Sequence, residues 1–186
     1  MMNRTACLEL LKTHITDEIV VAAYSTASEW IEINDRVLNY FSFGAMGLGS
    51  SHALGMAVAF PKRRVVVLDG DGSLLMNLST LVTIGAVAPR NLVHIVWHNG
   101  CYEANGGHQI PNKDTDFCGI ARSSGIKKVH KISDMANYER QIGSILKEEG
   151  PVFAEMMIAQ GPLGARSYTE MYKPERRKAF KDALAG

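Results

Sequence analysis

The stretch from Val65 to Tyr102 constrains the fold most. It reads VVVLDGDGSLLMNLSTLVTIGAVAPRNLVHIVWHNGCY. Two apolar, β-branched runs, Val65 to Leu68 and Leu92 to Trp97, have the pattern of strands buried on both faces of a parallel sheet. Between them a helical pattern runs from about Leu74 to Val87 and stops at Pro89. Strand, helix, strand in this order is a βαβ unit, and its crossover is right-handed. The first strand ends in Asp69-Gly70-Asp71-Gly72-Ser73, the second in His98-Asn99-Gly100. Both ends therefore open onto one edge of the sheet. Asp71 and Asn99, 28 positions apart, are expected close together in space.

That juxtaposition has chemical content. Asp71 offers a carboxylate and Asn99 an amide oxygen, both hard ligands of the kind Mg²⁺ takes alongside phosphates and water. Gly70 and Gly72 allow a tight turn and a close approach of backbone to ligand. Ser73 is expected to begin the helix, where free N–H groups favour an anion. The site suits a Mg²⁺-bridged diphosphate. A dinucleotide site would need G-x-G-x-x-G, and the last glycine is missing; Asp71 would also repel a pyrophosphate unless a cation intervened. A P-loop needs G-K-[ST], which is absent. An ordinary strand followed by an Asp-Gly turn is the remaining alternative, and the Asn at the next strand end weighs against it.

GDG followed by a strand ending in Asn resembles the thiamine-diphosphate signature of the 2-oxo-acid decarboxylases. Gly44-Ala45-Met46-Gly47, GDGSLLMN, the helix around Thr83-Ile84 and the loop HNGCYEANGG are similar, more narrowly, to the β subunits of sulfopyruvate decarboxylase, with phosphonopyruvate decarboxylase the nearest neighbour. The resemblance covers nearly the whole chain. It implies that Ser25 and Thr26 reach the cofactor diphosphate, and that Gly70, Gly72, Ser73 and Tyr102 border it. It implies a Gly44 carbonyl that accepts a hydrogen bond from the aminopyrimidine, and a Met46 side chain that holds the cofactor bent. The cation's protein ligands would be Asp71, Asn99 and the backbone carbonyl of Cys101, whose soft thiol does not suit magnesium.

Composition bounds the rest. The chain has 186 residues, 46% hydrophobic and 21% charged, as expected of a single domain spanning 1–186 with a full core. Twenty basic and nineteen acidic residues give a formal charge of +1, which provides no electrostatic case for nucleic acid or anionic membrane. No apolar run approaches the length of a membrane span. The first residues read as an amphipathic helix broken by charge, not as a signal peptide. Cys7, Cys101 and Cys118 have no zinc-type spacing, and reduced thiols in a cytoplasmic protein account for them.

Along the chain, a short helix ends near His14, and Ile19 to Ala23 reads as a strand running into a small polar loop, Tyr24 to Ser28, where the hydroxyls could equally cap a helix. A second strand is expected within Asp35 to Phe43, and a helix of small residues after Gly49, stopping at Pro61. Residues 99–113 read as a loop whose glycines and asparagines exclude regular structure. Glu103, Asn105 and His108 on it are candidate substrate-pocket residues, with Lys113 a further cation for a sulfonate. A helix Asp116 to Ser123, a strand Lys127 to Lys131, an amphipathic helix Asp134 to Glu148, a strand Pro151 to Ile158, an irregular stretch Gly161 to Tyr172 and a helix from Pro174 complete the pattern. Arg176, Arg177 and Lys178 read as a solvated basic face. The strand–helix alternation argues for an α/β fold, a doubly wound parallel sheet flanked by helices.

The enzymes this chain resembles ionise the cofactor with a glutamate on a separate pyrimidine-binding domain. The expectation is half an active site, completed by an α subunit carrying that domain, with no catalytic residue assigned here. The implied reaction is decarboxylation of 3-sulfopyruvate to sulfoacetaldehyde. A phosphonopyruvate decarboxylase-type subunit, an acetolactate-synthase-like carboligase subunit and a non-catalytic cofactor-binding subunit are the alternatives.

Overall fold

Period-2 alternation inside the apolar runs decides how the layers stack. In a computed structural model, which describes residues 1–42, 44, 46–161 and 168–185, the runs β1 (Ile19–Ala23), β2 (Asn39–Ser42), β3 (Val65–Gly70) and β4 (Leu92–His98) pair in parallel. With β7 (Lys128–Ile132) and β8 (Val152–Met157) they build a six-stranded sheet of order β2-β1-β3-β4-β8-β7. Numbering the intervening strands in chain order, β5 (Cys101–Tyr102) and β6 (His108–Gln109) form a separate antiparallel hairpin.

Val20, Ala22, Val66, Leu68, Val93, Ile95 and Trp97 point to one face of the sheet. There they pack against α1 (Arg4–Lys12), α2 (Tyr24–Ile33) and α7 (Met135–Lys147) through Leu8, Leu11, Trp30, Ile142 and Ile145. Ile19, Val21, Val65, Val67, Leu92 and Val96 point the other way. They meet α3 (Gly49–Ala59), α4 (Asp71–Leu75), α5 (Ser79–Val87), α6 (Phe117–Ser123) and, through Phe180, α9 (Pro174–Ala185). Each such Val, Leu or Ile contributes roughly 1.5–3 kcal/mol by leaving water. A sheet covered on both faces is what the near-continuous apolar strands require. No helix of the described residues is long and apolar enough to cross a membrane.

Several boundaries differ from the sequence reading, each for a local reason. The helix expected over Leu74–Val87 is two helices, α4 and α5. The break falls at Asn77, whose side-chain amide leaves the helix to donate to the Gly47 carbonyl (3.1 Å) and to Ser51 Oγ (3.3 Å). An asparagine that finds such partners competes with the helical backbone. α4 begins at Asp71 rather than at Ser73, because Gly70 is extended and serves as its N-cap. Ala88 then turns left-handed (φ 50°) ahead of Pro89 and ends α5.

Tyr24 to Ser28 are not a loop but the first turn of α2, which follows β1 directly, with Tyr24 held at a left-handed φ of 46°. Their hydroxyls do not cap: the N-cap residue is Ala23, with no side-chain hydrogen bond. Residues 99–113 are not wholly irregular, since β5 and β6 pair around a 3-10 turn, Glu103–Asn105. The glycines that argue against regular structure flank the pairing: Gly100 precedes β5, and Gly106 and Gly107 make the reversal. The second strand starts only at Asn39, and Phe43 at its expected end lies outside the described residues. Of the stretch from Gly161 to Tyr172, residues 162–167 lie outside the described residues, and Tyr168–Met171 form a short helix, α8. Arg176 is not part of a merely solvated face: it pairs with both Asp35 oxygens (2.6 and 3.0 Å) and lies over the Phe41 ring, fastening α9 beside the edge strand β2.

One close approach gives a sharp stability prediction. A Cβ placed on Gly85 of α5 would sit 1.8 Å from the Ser124 carbonyl oxygen, at the end of α6. That oxygen is backbone and cannot rotate away. Gly85→Ala is expected to destabilise the chain by about 1–3 kcal/mol or more despite alanine's better helix propensity. A melting temperature unchanged in that variant would show that α5 and α6 do not approach this closely.

Candidate cofactor site

In an open parallel sheet a crevice forms where the strand order reverses. Here the chain passes from β1 outward to β2 and from β3 outward through β4, so the reversal lies between β1 and β3. A cleft opens there at the carboxyl ends of the strands. Its lining includes Tyr24, Ser25 and Thr26 after β1, Gly70, Asp71, Gly72 and Ser73 after β3, and Asn99, Cys101 and Tyr102 after β4.

Asp71 is 2% exposed and is held from both sides. Its Oδ1 accepts from the Gly72 N–H (2.7 Å), and its Oδ2 from the N–H groups of Asn99 (3.1 Å) and Gly100 (2.6 Å). The two strand ends expected to meet are thus in direct contact. Burial pushes the Asp71 pKa up, against the opposing pull of the hydrogen bonds from Gly100 and Gly72 and of nearby His98. A carboxylate has about four lone-pair sites, so three accepted bonds leave one for a ligand. Asn99 Oδ1 accepts from the Cys101 N–H (2.9 Å) and keeps a second lone pair. Burial pushes the Cys101 thiol up to about 11, so at neutral pH it is not a thiolate. The remaining donors are hard oxygens, which fit a small divalent cation bridging to phosphate.

The walls pack closely against one another. The Tyr102 ring lies so close to Gly72 that a Cβ there would come 2.4 Å from its Cδ1, which only glycine permits. Ser73 Oγ accepts from the Gly47 N–H (3.1 Å) and retains its own hydroxyl hydrogen to donate. That bond, with Asn77 on the Gly47 carbonyl, ties Gly47 to α4 and to the break that follows it. Met46 lines the cleft. Gly44, at φ 90°, is exposed and stands away from the cleft lining, and Ala45 between them lies outside the described residues. Trp97 also lines the cleft, and its buried indole Nε1–H has no hydrogen-bond partner among the described residues. An orphaned donor of this kind calls for a ligand or a water.

The candidate substrate residues separate. Glu103 is in the cleft wall, but it is 5% exposed and its carboxylate pairs with Arg4 Nη1 (2.6 Å). Asn105 and His108 are exposed on the hairpin and outside the cleft lining. Lys113 is exposed too and pairs with Asp114.

Of three ionisable residues that the sequence reading left out, one lines the cleft and two are buried behind Asp71. Arg4 lies in the cleft wall. His98 places Nδ1 2.6 Å from Glu155 Oε1 and Nε2 3.1 Å from the Lys113 carbonyl oxygen, with Asp71 Oδ2 3.8 Å away. Burial alone would lower the His98 pKa; the Glu155 hydrogen bond and the charges of Asp71 and Glu155 outweigh it and raise it. Glu155, fully buried on β8, is pushed up by burial, yet its bonds from His98 and Cys118 and the charge of Lys131 hold it below the usual carboxylate range. An ionisable residue inside a strand otherwise apolar, as Glu155 is in VFAEMM, was the available signal.

Residues 21–156 match the family described as thiamine pyrophosphate enzyme, C-terminal TPP binding domain. The chain belongs to this family. The match spans β1 through most of β8, and hence every strand end that lines the cleft. Among curated proteins, the chain is 34% identical over 190 residues to sulfopyruvate decarboxylase subunit beta of Methanothermobacter thermautotrophicus, covering 98% of this chain and 100% of that one. It is 33% identical over 181 residues to phosphonopyruvate decarboxylase of Streptomyces viridochromogenes, covering 96% of this chain. The chain spans 45% of the length of that relative. Among solved structures, a protein from Mycobacterium smegmatis described as thiamin diphosphate-dependent superposes with a TM-score of 0.71 at 21% identity, over 86% of this chain and 32% of the other. That likeness supports the fold.

Proposed function

We propose that this chain is the diphosphate-binding subunit of a thiamine-diphosphate- and Mg²⁺-dependent 2-oxo-acid decarboxylase. The substrate we assign is 3-sulfopyruvate, converted to sulfoacetaldehyde and CO₂. The observation that carries the reading is the contact of Asp71 with Asn99 between the carboxyl ends of β3 and β4, in the cleft that opens beside the reversal of strand order. The likeness to a sulfopyruvate decarboxylase β subunit over that protein's whole length supports the reaction and the two-chain organisation. Similarity to phosphonopyruvate decarboxylases makes phosphonopyruvate the second substrate to test.

In this reading Asp71, Asn99 and the Cys101 carbonyl hold the cation. Ser25, Thr26, Gly70, Gly72, Ser73 and Tyr102 border the diphosphate. The Gly44 carbonyl takes the aminopyrimidine, and Met46 supports the bend between the two rings. When bound, thiamine diphosphate supplies the carbanion that adds to the 2-oxo carbon and takes up electrons as CO₂ leaves. The protein's part is to bind, orient and exclude water. The glutamate that activates the cofactor, and the groups that recognise the sulfonate, are assigned to a partner chain with a pyrimidine-binding domain.

The direct test is an assay of the purified two-chain complex for CO₂ and aldehyde release from sulfopyruvate, phosphonopyruvate and pyruvate. Turnover of sulfopyruvate above the other two is the expected result; formation of a carboligation product from pyruvate instead would move the chain to the acetolactate-synthase-like class. Cofactor binding with no turnover of any of them would make it a non-catalytic subunit. Within the same assay, Met46→Leu should retain activity, because it keeps the bulk, whereas Met46→Ala should lose about 10–100-fold through misplacement of the reacting centre. Full activity in Met46→Ala would return Met46 to ordinary packing.

A further inference from the structure

Arg4 opens α1, far in sequence from every motif of the site, yet it lines the cleft and is 8% exposed. Its guanidinium is forked between two carboxylates. Nε (2.9 Å) and Nη2 donate to Glu29 Oε1 on α2, and Nη1 donates to Glu103 Oε2 (2.6 Å) in the turn after β5. Stability alone is a weak reason for such a trio, because removing charges from water offsets much of what their pairing gives. What a planar fork does supply is fixed geometry between the segments it joins.

Those segments are the walls of the cleft. α2 carries Tyr24, Ser25 and Thr26 in its first turn, and Glu29 lies one turn further on. Glu103 directly follows Tyr102, whose ring lies on Gly72, and Cys101, whose N–H is held by Asn99. Glu103 Oε1 also accepts from the Gly161 N–H at 3.5 Å, so the carboxylate is held at both oxygens. Arg4 thus reaches the Cys101–Tyr102 strand through Glu103, alongside the hairpin pairing with β6 and the Asn99 bond to the Cys101 N–H.

The charges point the same way. Arg4 is the only lysine or arginine among the described residues that line the cleft, whereas two carboxylates, Asp71 and Glu103, line it. The wall therefore carries more negative than positive charge, and a diphosphate needs a divalent cation to enter it.

We infer that Arg4 is a positioning residue: acting through Glu103, it holds the Cys101 carbonyl where the cation of the cofactor site is bound. This rests on the reading of the cleft as a Mg²⁺–thiamine diphosphate site. Its signature is a change in the Mg²⁺ requirement rather than in stability alone.

The test uses the full chain assembled with its partner chain. Mg²⁺ is titrated at fixed thiamine diphosphate, and binding is followed by tryptophan fluorescence, to which Trp97 in the cleft contributes, and by calorimetry. The variants are Arg4→Lys, which keeps a charge but cannot fork to both carboxylates, and Glu103→Gln, which keeps the shape. Glu29→Gln is the control that loosens the far side of the fork. Residues that orient metal ligands from behind typically matter by about 10–100-fold in metal affinity. Arg4→Lys and Glu103→Gln should raise the half-saturating Mg²⁺ at least about tenfold, with thiamine diphosphate binding restored at high Mg²⁺. Glu29→Gln should lower the cofactor-free melting temperature with little change in that midpoint. An unchanged Mg²⁺ midpoint in Arg4→Lys and Glu103→Gln would overturn the inference, as would a shift in all three variants that merely tracks their melting temperatures. Absence of Mg²⁺-dependent binding in the unmodified complex would remove the cofactor reading itself, a result seen without any variant.

Discussion

Asp71→Ala is expected to abolish Mg²⁺-dependent thiamine diphosphate binding in calorimetry. Two losses combine. The cation loses the carboxylate assigned to it, and an outer-shell partner alone is commonly worth about 10–100-fold, so the loss of a direct ligand should exceed about 100-fold. The N–H groups of Gly72, Asn99 and Gly100 also lose their acceptor. Each unsatisfied donor costs about 1–3 kcal/mol where water cannot reach it, so the cofactor-free melting temperature should fall as well. Two controls separate the effects. Asp71→Asn keeps the shape and one acceptor oxygen but removes the charge and turns an N–H₂ toward donors that the other oxygen held, so it should recover stability only in part and should not recover binding. Cys101→Ser should be nearly silent in both measurements, since only its carbonyl is assigned a role. Undiminished binding in Asp71→Ala would remove the central claim about this cleft.

What the sequence made legible was whatever depends on local pattern. The apolar runs of β1, β3 and β4 are visible because β-branched residues crowd strands buried on both sides. The Asp71–Asn99 contact followed from the parallel pairing of two strands joined by one crossover helix, with no long-range information required. Other features needed partners that no window of sequence contains. Asn77 breaks a helical pattern only because Gly47 and Ser51 stand opposite it. Arg4 enters the cleft wall through Glu29 and Glu103, 25 and 99 positions away. His98 stood beside Asn99 in plain view, but its significance lies with Glu155, 57 positions on. Exposure removed Asn105 and His108 from the cleft, and a hairpin register, not composition, decides that exposure.

Turnover by this chain alone is expected to be nil and to appear only on addition of a chain bearing the pyrimidine-binding domain. The first ground is chemical. Glu103 is the only glutamate among the described residues that line the cleft, and its charge is committed to Arg4. The second is the surface beside the cleft. From Gly44 to Pro61 and from Gly72 to Pro89 the sequence has no Asp, Glu, Lys or Arg. These stretches hold α3 and α5, and helices without a charged face belong under cover. Yet Met76 (61% exposed), Val82 (59%), Val58, Leu48 and Val87 are open to solvent. Met76 caps the end of α4, whose first residues line the cleft, and its Cβ stands 3.2 Å from the position a Cβ on Gly47 would take. A partner that closes the cleft would cover this face too. Val82→Lys, remote from the cleft lining, should then weaken association by placing an unpaired charge in an apolar contact, while the stability of the single chain stays within about 0.5 kcal/mol of its original value. Decarboxylation is to be measured with and without the partner, and association by sedimentation of the mixed chains. Robust turnover by the purified single chain would overturn the half-site reading, and Glu103 would then be the first carboxylate to substitute.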